Sequence, residues 1–252
     1  MVRGIESFKE WFKGCEEQYA IIGGTACDLL MSNEGLSFRA TKDIDLVLII
    51  EAVNTSFGRQ FWDYITAAGY EHRAKSSGNP QFYRFTKPKS EEFPFMIELF
   101  SRKSDSITLP ENATLSPLPL DEEISSLSAI LLDNDYYELL RKGRVLISGI
   151  TVLGAHYLTS FKAKAWLDLT KRKSNGEQID SKNIRKHKND VYRLTELLNL
   201  SAEPLLNIPD SVKNDMKDFI DCMMAEDVDL NQLGIPNTSK EYLLESLRTL
   251  YQ

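Results

Sequence analysis

The sequence predicts an α+β fold, in which a small mixed sheet with flanking helices is followed by a mostly helical C-terminal part. Three observations predict it. Short apolar runs typical of strands occur within residues 1–153, and amphipathic patterns with the period of a helix alternate with them. After residue 153 the pattern is helical, with Lys-rich faces. We therefore expect two domains, residues 1–153 and residues 154–252.

The individual elements follow from periodicity and from Gly, Pro and Asn breakers. In the first domain they are, in order, a helix at 5–17, a strand at 19–22, a helix from Thr25 to a break at 33–35, a strand at 43–50, a helix at 55–68, strands at 82–85 and 95–100, an irregular stretch at 104–119, and a hairpin of 145–147 and 150–153 about Gly149. The second domain is predicted to hold helices within 155–200, at 211–224 and at 239–251.

The composition is that of a soluble globular protein, with 42% hydrophobic and 27% charged residues among 252. No apolar run approaches the roughly 18 residues that a membrane span needs. The N-terminal segment has acidic residues where a signal peptide would have an apolar core. The three cysteines are far apart and odd in number. We expect a cytoplasmic protein in a reducing compartment, with no membrane contact and no zinc cluster.

Charge is distributed unevenly along the chain. The net charge of −7 argues against a protein that coats nucleic acid by electrostatics alone. Residues 162–193 contain ten Lys or Arg against four Asp or Glu, a local charge of +6, which leaves −13 for the rest. A basic patch beside an acidic centre suits a polyanion whose phosphates meet metal on one side and lysines on the other. A solvated helix face is the alternative interpretation.

The turn after the first predicted strand is a candidate phosphate site. Two glycines, Gly23 and Gly24, allow a sharp turn and a close approach of phosphate to the main chain. A helix that opens at Thr25 would direct its N–H groups and the positive end of its dipole at that phosphate. An ordinary tight turn is the alternative.

Two carboxylates open the next predicted strand, DIDLVLII. Side chains alternate along a strand, so Asp43 and Asp45 project to one face while Ile44 and Leu46 enter the core. Carboxylates on one face repel each other, and a divalent cation such as Mg²⁺ or Mn²⁺ relieves that repulsion, because such ions prefer oxygen ligands. A solvent-exposed strand start is the alternative.

Glu98 interrupts the apolar run FPFMIELF, and a carboxylate there needs a partner or a function. It would complete a three-carboxylate metal site with Asp43 and Asp45, or act as the general base for an attacking hydroxyl. A buried salt bridge to an arginine such as Arg84 is the alternative.

Arg39 and Lys42 precede the acidic pair in the segment FRATK. Arg39 would contact a phosphate, or pair with the acids and order the loop. Lys42 is likewise a candidate nucleotide-binding residue. For Arg39, a surface cation is the alternative.

These residues carry a resemblance. Gly-Gly-Thr-Ala at 23–26, followed by RATKDID at 39–45, resembles the opening of the AbiEii-like nucleotidyltransferases, which are toxins of abortive-infection-type toxin–antitoxin systems within the DNA polymerase β-like nucleotidyltransferase superfamily. The superfamily has Gly-Gly or Gly-Ser, a spacer, Asp-x-Asp or Asp-x-Glu, and a third acid on a later strand. The spacer here is longer than usual.

The C-terminal part is similar to the same family over residues 158–167 and 188–194, so the resemblance spans residues 18–198. Lys162 falls on the lysine that contacts the nucleotide in the family, and Asp190 on the first acid of its Arg-Asp-x-Tyr-Asp-Leu motif. Arg193 replaces the second acid and Asn189 the basic residue, which puts the role of that helix in doubt. For Lys162 and Lys188, a solvated helix face is the alternative.

The resemblance implies a metal-dependent nucleotidyltransferase that moves an NMP from an NTP to an acceptor hydroxyl. Metal on Asp43 and Asp45 would neutralise the triphosphate, and a second metal with Glu98 would orient the nucleophile. Lys162 would supply charge to the leaving pyrophosphate. The implied acceptor is RNA, tRNA above all, and the implied role is that of a toxin with an antitoxin protein as partner.

Two other functions stay open. One is a nucleotidyltransferase with a small-molecule acceptor, as in the aminoglycoside-modifying enzymes. The other is a non-catalytic member that binds a nucleotide or a partner. The chain contains no Gly-x-x-x-x-Gly-Lys-Ser/Thr, no His-Glu-x-x-His and no Gly-x-Ser-x-Gly, which argues against P-loop nucleotide hydrolysis, zincin proteolysis and α/β-hydrolase chemistry.

Overall fold

The structure, a computed structural model, describes residues 2–72, 83–102, 115–117, 128–200, 204–205 and 207–252. Contacts between Cα atoms divide the chain into two compact units, Met1–Gly154 and Ala155–Gln252. In the described ranges, none of the helices combines the length and the apolar character that crossing a membrane requires.

The first unit alternates helices and strands. They are α1 (Ile5–Trp11), β1 (Tyr19–Ile22), α2 (Gly23–Asn33), β2 (Asp43–Leu48), α3 (Thr55–Ala68), β3 (Arg84–Thr86), β4 (Met96–Ser101), β5 (Leu115–Pro117), β6 (Ser128–Leu131), α4 (Asn134–Lys142), β7 (Arg144–Ile147) and β8 (Ile150–Leu153).

The described strands form one mixed sheet. Its order is β5-β6-β4-β2-β1-β8-β7, and β3 pairs with β4 as well. The pairs β1–β8, β2–β4 and β4–β6 are parallel, whereas β1–β2, β3–β4, β5–β6 and β7–β8 are antiparallel. With helices between the strands, the predicted α+β fold class is confirmed.

One face of the central strands packs into an aromatic core. The ring of Phe12, the residue after α1, lies 5.2 Å from that of Tyr64 and 6.0 Å from that of Phe61, both on α3. On β4, Ile97 and Leu99 are fully buried, whereas Met96, Glu98 and Phe100, which alternate with them, are half-buried. This alternation leaves the opposite face of β2 and β4 partly open, and that face carries the acidic residues.

Most of the predicted elements are confirmed, but two boundaries differ near the N-terminus. The first helix ends at Trp11 and not at residue 17, because Gly14 takes a left-handed φ of +86°. The second helix begins at Gly23 and not at Thr25. The predicted hairpin turns at Ser148 and Gly149, which both have positive φ, as two-residue hairpin turns require.

Part of two predictions lies outside the described residues. The structure does not describe Phe82, which belongs to the strand predicted at 82–85. It also does not describe most of the irregular stretch predicted at 104–119, although Leu115–Pro117 within that stretch form β5.

The second unit is helical, as predicted. Its elements are α5 (Ala155–Ser174), α6 (Ser181–Leu194), a short 3₁₀ turn (Thr195–Leu197), α7 (Asp210–Met224) and α8 (Lys240–Leu250). Asp180 caps α6 by accepting a hydrogen bond from the N–H of Lys182. Trp166 of α5 packs edge-to-face on Phe219 of α7, with ring centroids 5.5 Å apart.

Candidate active site

Strand β1 passes directly into α2 at two glycines. Ile22 is extended, with φ −119° and ψ −165°, whereas Gly23 has φ +73°, a left-handed value that is costly for residues with a Cβ. Ile22 supplies no side-chain cap, and no acidic residue stands in the first turn. The first N–H groups, at Gly23, Gly24 and Thr25, therefore present a helix N-terminus suited to an anion.

The carboxylate of Asp45 lies against this turn. The antiparallel register of β1 and β2 pairs Ile22 with Asp45. A Cβ built on Gly23 would stand 2.9 Å from Asp45 Cγ and closer still to Oδ2. Only a residue without a side chain leaves that space to the carboxylate. The structure thus brings together two motifs that are separated by a long spacer in the sequence.

Asp43 is tied to the same helix through its backbone. The hydroxyl of Thr25 donates a 2.6 Å hydrogen bond to the carbonyl oxygen of Asp43. Thr25 is buried, and the side chains of Asp43 and Asp45 are both half-buried on one face of β2. The role of Thr25 here is to hold the start of β2 against the first turn of α2.

Glu98 lies on the same face as the two aspartates. In the parallel pair β2–β4, Asp45 is the register partner of Glu98. On its other side, Glu98 faces Arg84 of β3, and Arg84 Nε donates a hydrogen bond to Glu98 Oε1. The salt bridge to Arg84, one of the alternatives open from the sequence, is therefore present, but it is not a buried one, since the Arg84 side chain is 46% exposed.

Arg39 and Thr41 lie over Gly24. A Cβ on Gly24 would stand 2.9 Å from Thr41 Oγ1 and 3.2 Å from an Arg39 guanidinium nitrogen. Arg39 therefore lies beside the helix N-terminus, where a phosphate contact was expected. Thr41 was not among the predicted site residues. The sequence could have indicated it, because Thr41, Asp43 and Asp45 are two residues apart and therefore share one face of an extended chain.

Lys42 is directed onto an aromatic ring. Its ammonium nitrogen lies 3.8 Å from the ring centroid of Phe95, and its carbonyl oxygen accepts a hydrogen bond from the N–H of Phe95. A cation over the face of a ring is attracted by the ring quadrupole. The structure thus assigns Lys42 a structural contact, and its part in nucleotide binding stays a prediction.

Lys162 and Asp190 belong to the second unit, where they contact each other. Lys162 Nζ donates a 2.8 Å hydrogen bond to Asp190 Oδ2, and the two side chains are 3% and 0% exposed. An Arg193 nitrogen lies 3.9 Å from Asp190 Oδ1. The two residues singled out by the resemblance therefore form one buried ion pair between α5 and α6. Their contact with nucleotide stays a prediction.

Several other cations of residues 162–193 are paired with acids of their own unit. Lys164 lies 3.3 Å from Asp215, Arg172 lies 2.7 Å from Glu177, and Lys188 pairs with Glu226. Asp215 and Glu226 lie outside residues 162–193, so their pairs offset part of the local excess of +6, whereas Glu177 is already counted in it. The basic segment is therefore less free to meet a polyanion than its composition indicates.

The oxygen ligands at the turn suit a hard cation. Asp43 and Asp45 share one face of β2 beside a helix N-terminus that favours phosphate, and Mg²⁺ is usually held by one or two carboxylates together with substrate phosphates. Within the part of the chain that the structure describes, no three His, Cys, Asp or Glu side chains are grouped so as to hold a metal ion. The residues thus fit an ion shared between two aspartates and a substrate.

Comparisons with known proteins add little to this geometry. A scan against protein-family models finds no match, and a search of curated proteins finds none either. Among solved structures, the chain is similar to the Megavirus polyadenylate synthase, with a TM-score of 0.39 and 11% identity. The alignment covers 88% of this chain and 36% of the synthase, so the chain spans about a third of that protein's length. So distant a likeness decides neither family nor activity.

Proposed function

We propose that the chain is a metal-dependent nucleotidyltransferase, which moves an NMP group from an NTP to an acceptor hydroxyl. The contact between the Asp45 carboxylate and Gly23 carries the proposal. It holds a carboxylate at a helix N-terminus that is built to receive an anion. Phosphate and carboxylate repel each other unless a cation is shared between them, and this need for a cation points to an NTP bound with a divalent metal.

The triphosphate is bound by backbone and arginine groups. The N–H groups of Gly23, Gly24 and Thr25 donate to phosphate oxygens, and the glycines let phosphate approach the main chain. Arg39, which lies over Gly24, offers a fork of N–H donors to the same oxygens. Positioning and charge complementarity of this kind supply most of the catalysis in phosphoryl transfer.

Asp43 and Asp45 are the proposed ligands of Mg²⁺ or Mn²⁺. When bound, the ion neutralises the triphosphate and makes the α-phosphorus more electrophilic. Glu98, next to Asp45 in the register, is the proposed general base. Its Oε1 accepts the hydrogen bond of Arg84, which leaves Oε2 to take a proton. A place for Glu98 among the metal ligands stays a prediction.

The reaction balances with these groups. The acceptor oxygen attacks the α-phosphorus in line, and its proton passes to Glu98. A bond forms between that oxygen and the α-phosphorus while the bond to the bridging oxygen of the β-phosphate breaks. Pyrophosphate leaves with the electron pair of the broken bond. No cysteine or histidine nucleophile is required, because the chemistry is a direct displacement.

We propose RNA, and tRNA above all, as the acceptor, with a toxin role and an antitoxin partner. The support is the order of motifs along residues 18–198, which resembles the AbiEii-like family. Induced expression of the wild-type chain should arrest growth, and the Asp45→Ala variant should not. Equal growth arrest by both variants would contradict a toxin that acts through this site.

The decisive experiment is transfer of label from each α-³²P-NTP to total cellular RNA with Mg²⁺ or Mn²⁺. We expect labelled RNA with the wild type and none with Asp43→Ala/Asp45→Ala. The matched control is Asp227→Ala/Asp229→Ala, which removes an Asp-x-Asp pair from an exposed loop of the second unit and should keep full transfer.

The outcomes separate the open functions. Suppose that NTP binding depends on the metal and on Asp43 and Asp45, but no label enters RNA. That result would support a small-molecule acceptor or a function in binding only. Label transfer that survives loss of both aspartates would refute the proposed site itself.

A further inference from the structure

A row of charged side chains crosses the half-buried face of the sheet in the first unit. The register places Arg84 of β3 opposite Glu98 of β4, and Glu98 beside Asp45 of β2. Asp45 in turn pairs with Ile22, the residue before Gly23. Neighbouring strands lie about 4.8 Å apart, so the backbone of Arg84 is about 10 Å, or two strands, from that of Asp45.

Arg84 stands at the far end of this row and is accessible. Its side chain is 46% exposed, whereas the Glu98 side chain is 13% exposed. Its hydrogen bond to Glu98 engages Nε, and a guanidinium carries five N–H donors in a planar fork. Arg84 can therefore hold Glu98 with one edge and present further donors to a ligand.

We propose that Arg84 is an acceptor-binding residue, which binds the acceptor phosphate nearest to the reacting hydroxyl and so positions that hydroxyl beside Glu98. This inference rests on the proposed function. With the NTP at Gly23 and Asp45 and the base at Glu98, the reacting hydroxyl lies beside Glu98. The part of the acceptor that lies on the side of this hydroxyl away from Asp45 then contacts Arg84.

The chemistry of Arg84 selects among the acceptors. In an RNA 3′ end, the phosphate on the 5′ side of the terminal ribose is one sugar away from the reacting hydroxyl. Arginine binds phosphate through two parallel hydrogen bonds, which gives direction as well as charge. An aminoglycoside carries ammonium groups, which are hydrogen-bond donors only and therefore cannot accept from the Arg84 guanidinium as a phosphate does. The position of Arg84 therefore favours RNA over a cationic small molecule.

Equilibrium binding of a fluorescently labelled RNA oligonucleotide, measured by anisotropy without metal or NTP, tests the inference. Arg84→Ala should weaken binding by about tenfold, as loss of a charge-assisted contact does. The slope of log affinity on log salt concentration should fall by about 0.7, the value for one phosphate of a single strand. Arg84→Lys should keep the slope and lose part of the affinity.

The matched control is Arg141→Gln. Arg141 is an arginine of the same unit, it is 39% exposed, and it pairs with Glu138. It also lies near Glu51, which follows the other end of β2. The control removes the same charge at a distance from the row, so its salt slope should match the wild type.

A double variant separates a phosphate contact from mere neutralisation of Glu98. If Arg84 acts by screening Glu98, Arg84→Ala/Glu98→Gln should bind RNA as tightly as the wild type. If Arg84 contacts phosphate, the double variant should keep both the weaker affinity and the lower slope. Wild-type affinity in the double variant, or an unchanged slope in Arg84→Ala, would overturn the inference.

The failure of this inference can be told from failure of the proposed function. NTP binding that depends on Asp43 and Asp45 but is unchanged by Arg84→Ala supports the nucleotide site whatever the RNA result. Tighter binding of an aminoglycoside than of RNA by the wild type would also overturn the inference, while leaving that nucleotide site in place.

Discussion

The substitution Gly23→Ala tests the contact on which the active site depends. Gly23 has φ +73°, and an added Cβ would lie 2.9 Å from Asp45 Cγ and 3.3 Å from Asp45 Cβ. Gly35 offers a matched control, since it has the same φ of +73° in the same unit and a Cβ there would meet nothing within 4 Å. The two variants therefore share the backbone strain and differ in the clash.

The magnitudes follow from these distances. Placing alanine in the left-handed region costs about 1–2 kcal/mol, and both variants should lose that much stability. In Gly23→Ala the Asp45 carboxylate must also move by on the order of 1 Å to reach ordinary van der Waals separation. A misplacement of about 1 Å at a catalytic group costs on the order of 100-fold in rate.

The assay is label transfer from α-³²P-NTP, run beside thermal unfolding of each variant. We expect Tm to fall by about 2–8 °C in both variants, as 1–2 kcal/mol implies for a chain of this size. Transfer should fall about 100-fold in Gly23→Ala and by less than about threefold in Gly35→Ala. Equal activities in the two variants would refute the placement of the Asp45 carboxylate against Gly23 as a requirement for function.

Three further predictions follow from other contacts. Asp45→Ala should abolish metal-dependent transfer, because Asp45 is a ligand of the metal ion in our proposal. The far-UV circular dichroism spectrum should be unchanged, because the side chain is only half-buried; normal turnover would contradict the mechanism. Lys162→Met should destabilise the second unit by about 3–5 kcal/mol in urea unfolding, because it removes the hydrogen-bonded cation of the buried Asp190 carboxylate. Lys162→Met/Asp190→Leu should recover most of that loss; a loss as large in the double variant would show that packing and not charge is responsible. Burial by itself would raise the pKa of the Glu51 carboxyl, but hydrogen bonds, among them one from Tyr137, hold that pKa below its usual value. The ionised Glu51 carboxylate therefore stabilises the fold at pH values above its unfolded pKa of about 4.3. This stabilisation is lost as the pH falls through the lower pKa of the folded state. Unfolding measured from pH 6 to pH 3 should therefore depend less on pH in Glu51→Gln, and an identical pH dependence would contradict the shift.

Much of the fold could be predicted because its signals are local. The run YAII before two glycines marks a strand and a turn, and DIDLVLII marks a strand whose acids share one face. The helix at Thr55–Ala68 was recognisable from its periodicity and from Gly69, which ends it with φ +64°. These patterns depend on residues within a few positions of one another, which is the range over which periodicity and breakers act.

The boundaries that differ have local causes that sequence patterns reveal poorly. Amphipathic spacing continues past Trp11, but Gly14 turns left-handed and the helix stops. Gly23 looks like a turn residue, yet with φ +73° it carries the chain from an extended residue into the first position of α2. In both places a single φ value of a glycine decides the outcome, and glycine permits either sign.

The sequence by itself determined the chemical character of the site: a glycine turn before a helix, two acids on one strand face, and a third acid in an apolar strand. Only the tertiary structure decided their partners. The β1–β2 register places the Asp45 carboxylate against Gly23, and the β3–β4 register places Arg84 opposite Glu98, where the two form a salt bridge. Register joins residues far apart in the chain, and shifting a strand by one residue moves every side chain to the other face, so local patterns alone do not specify which charges meet.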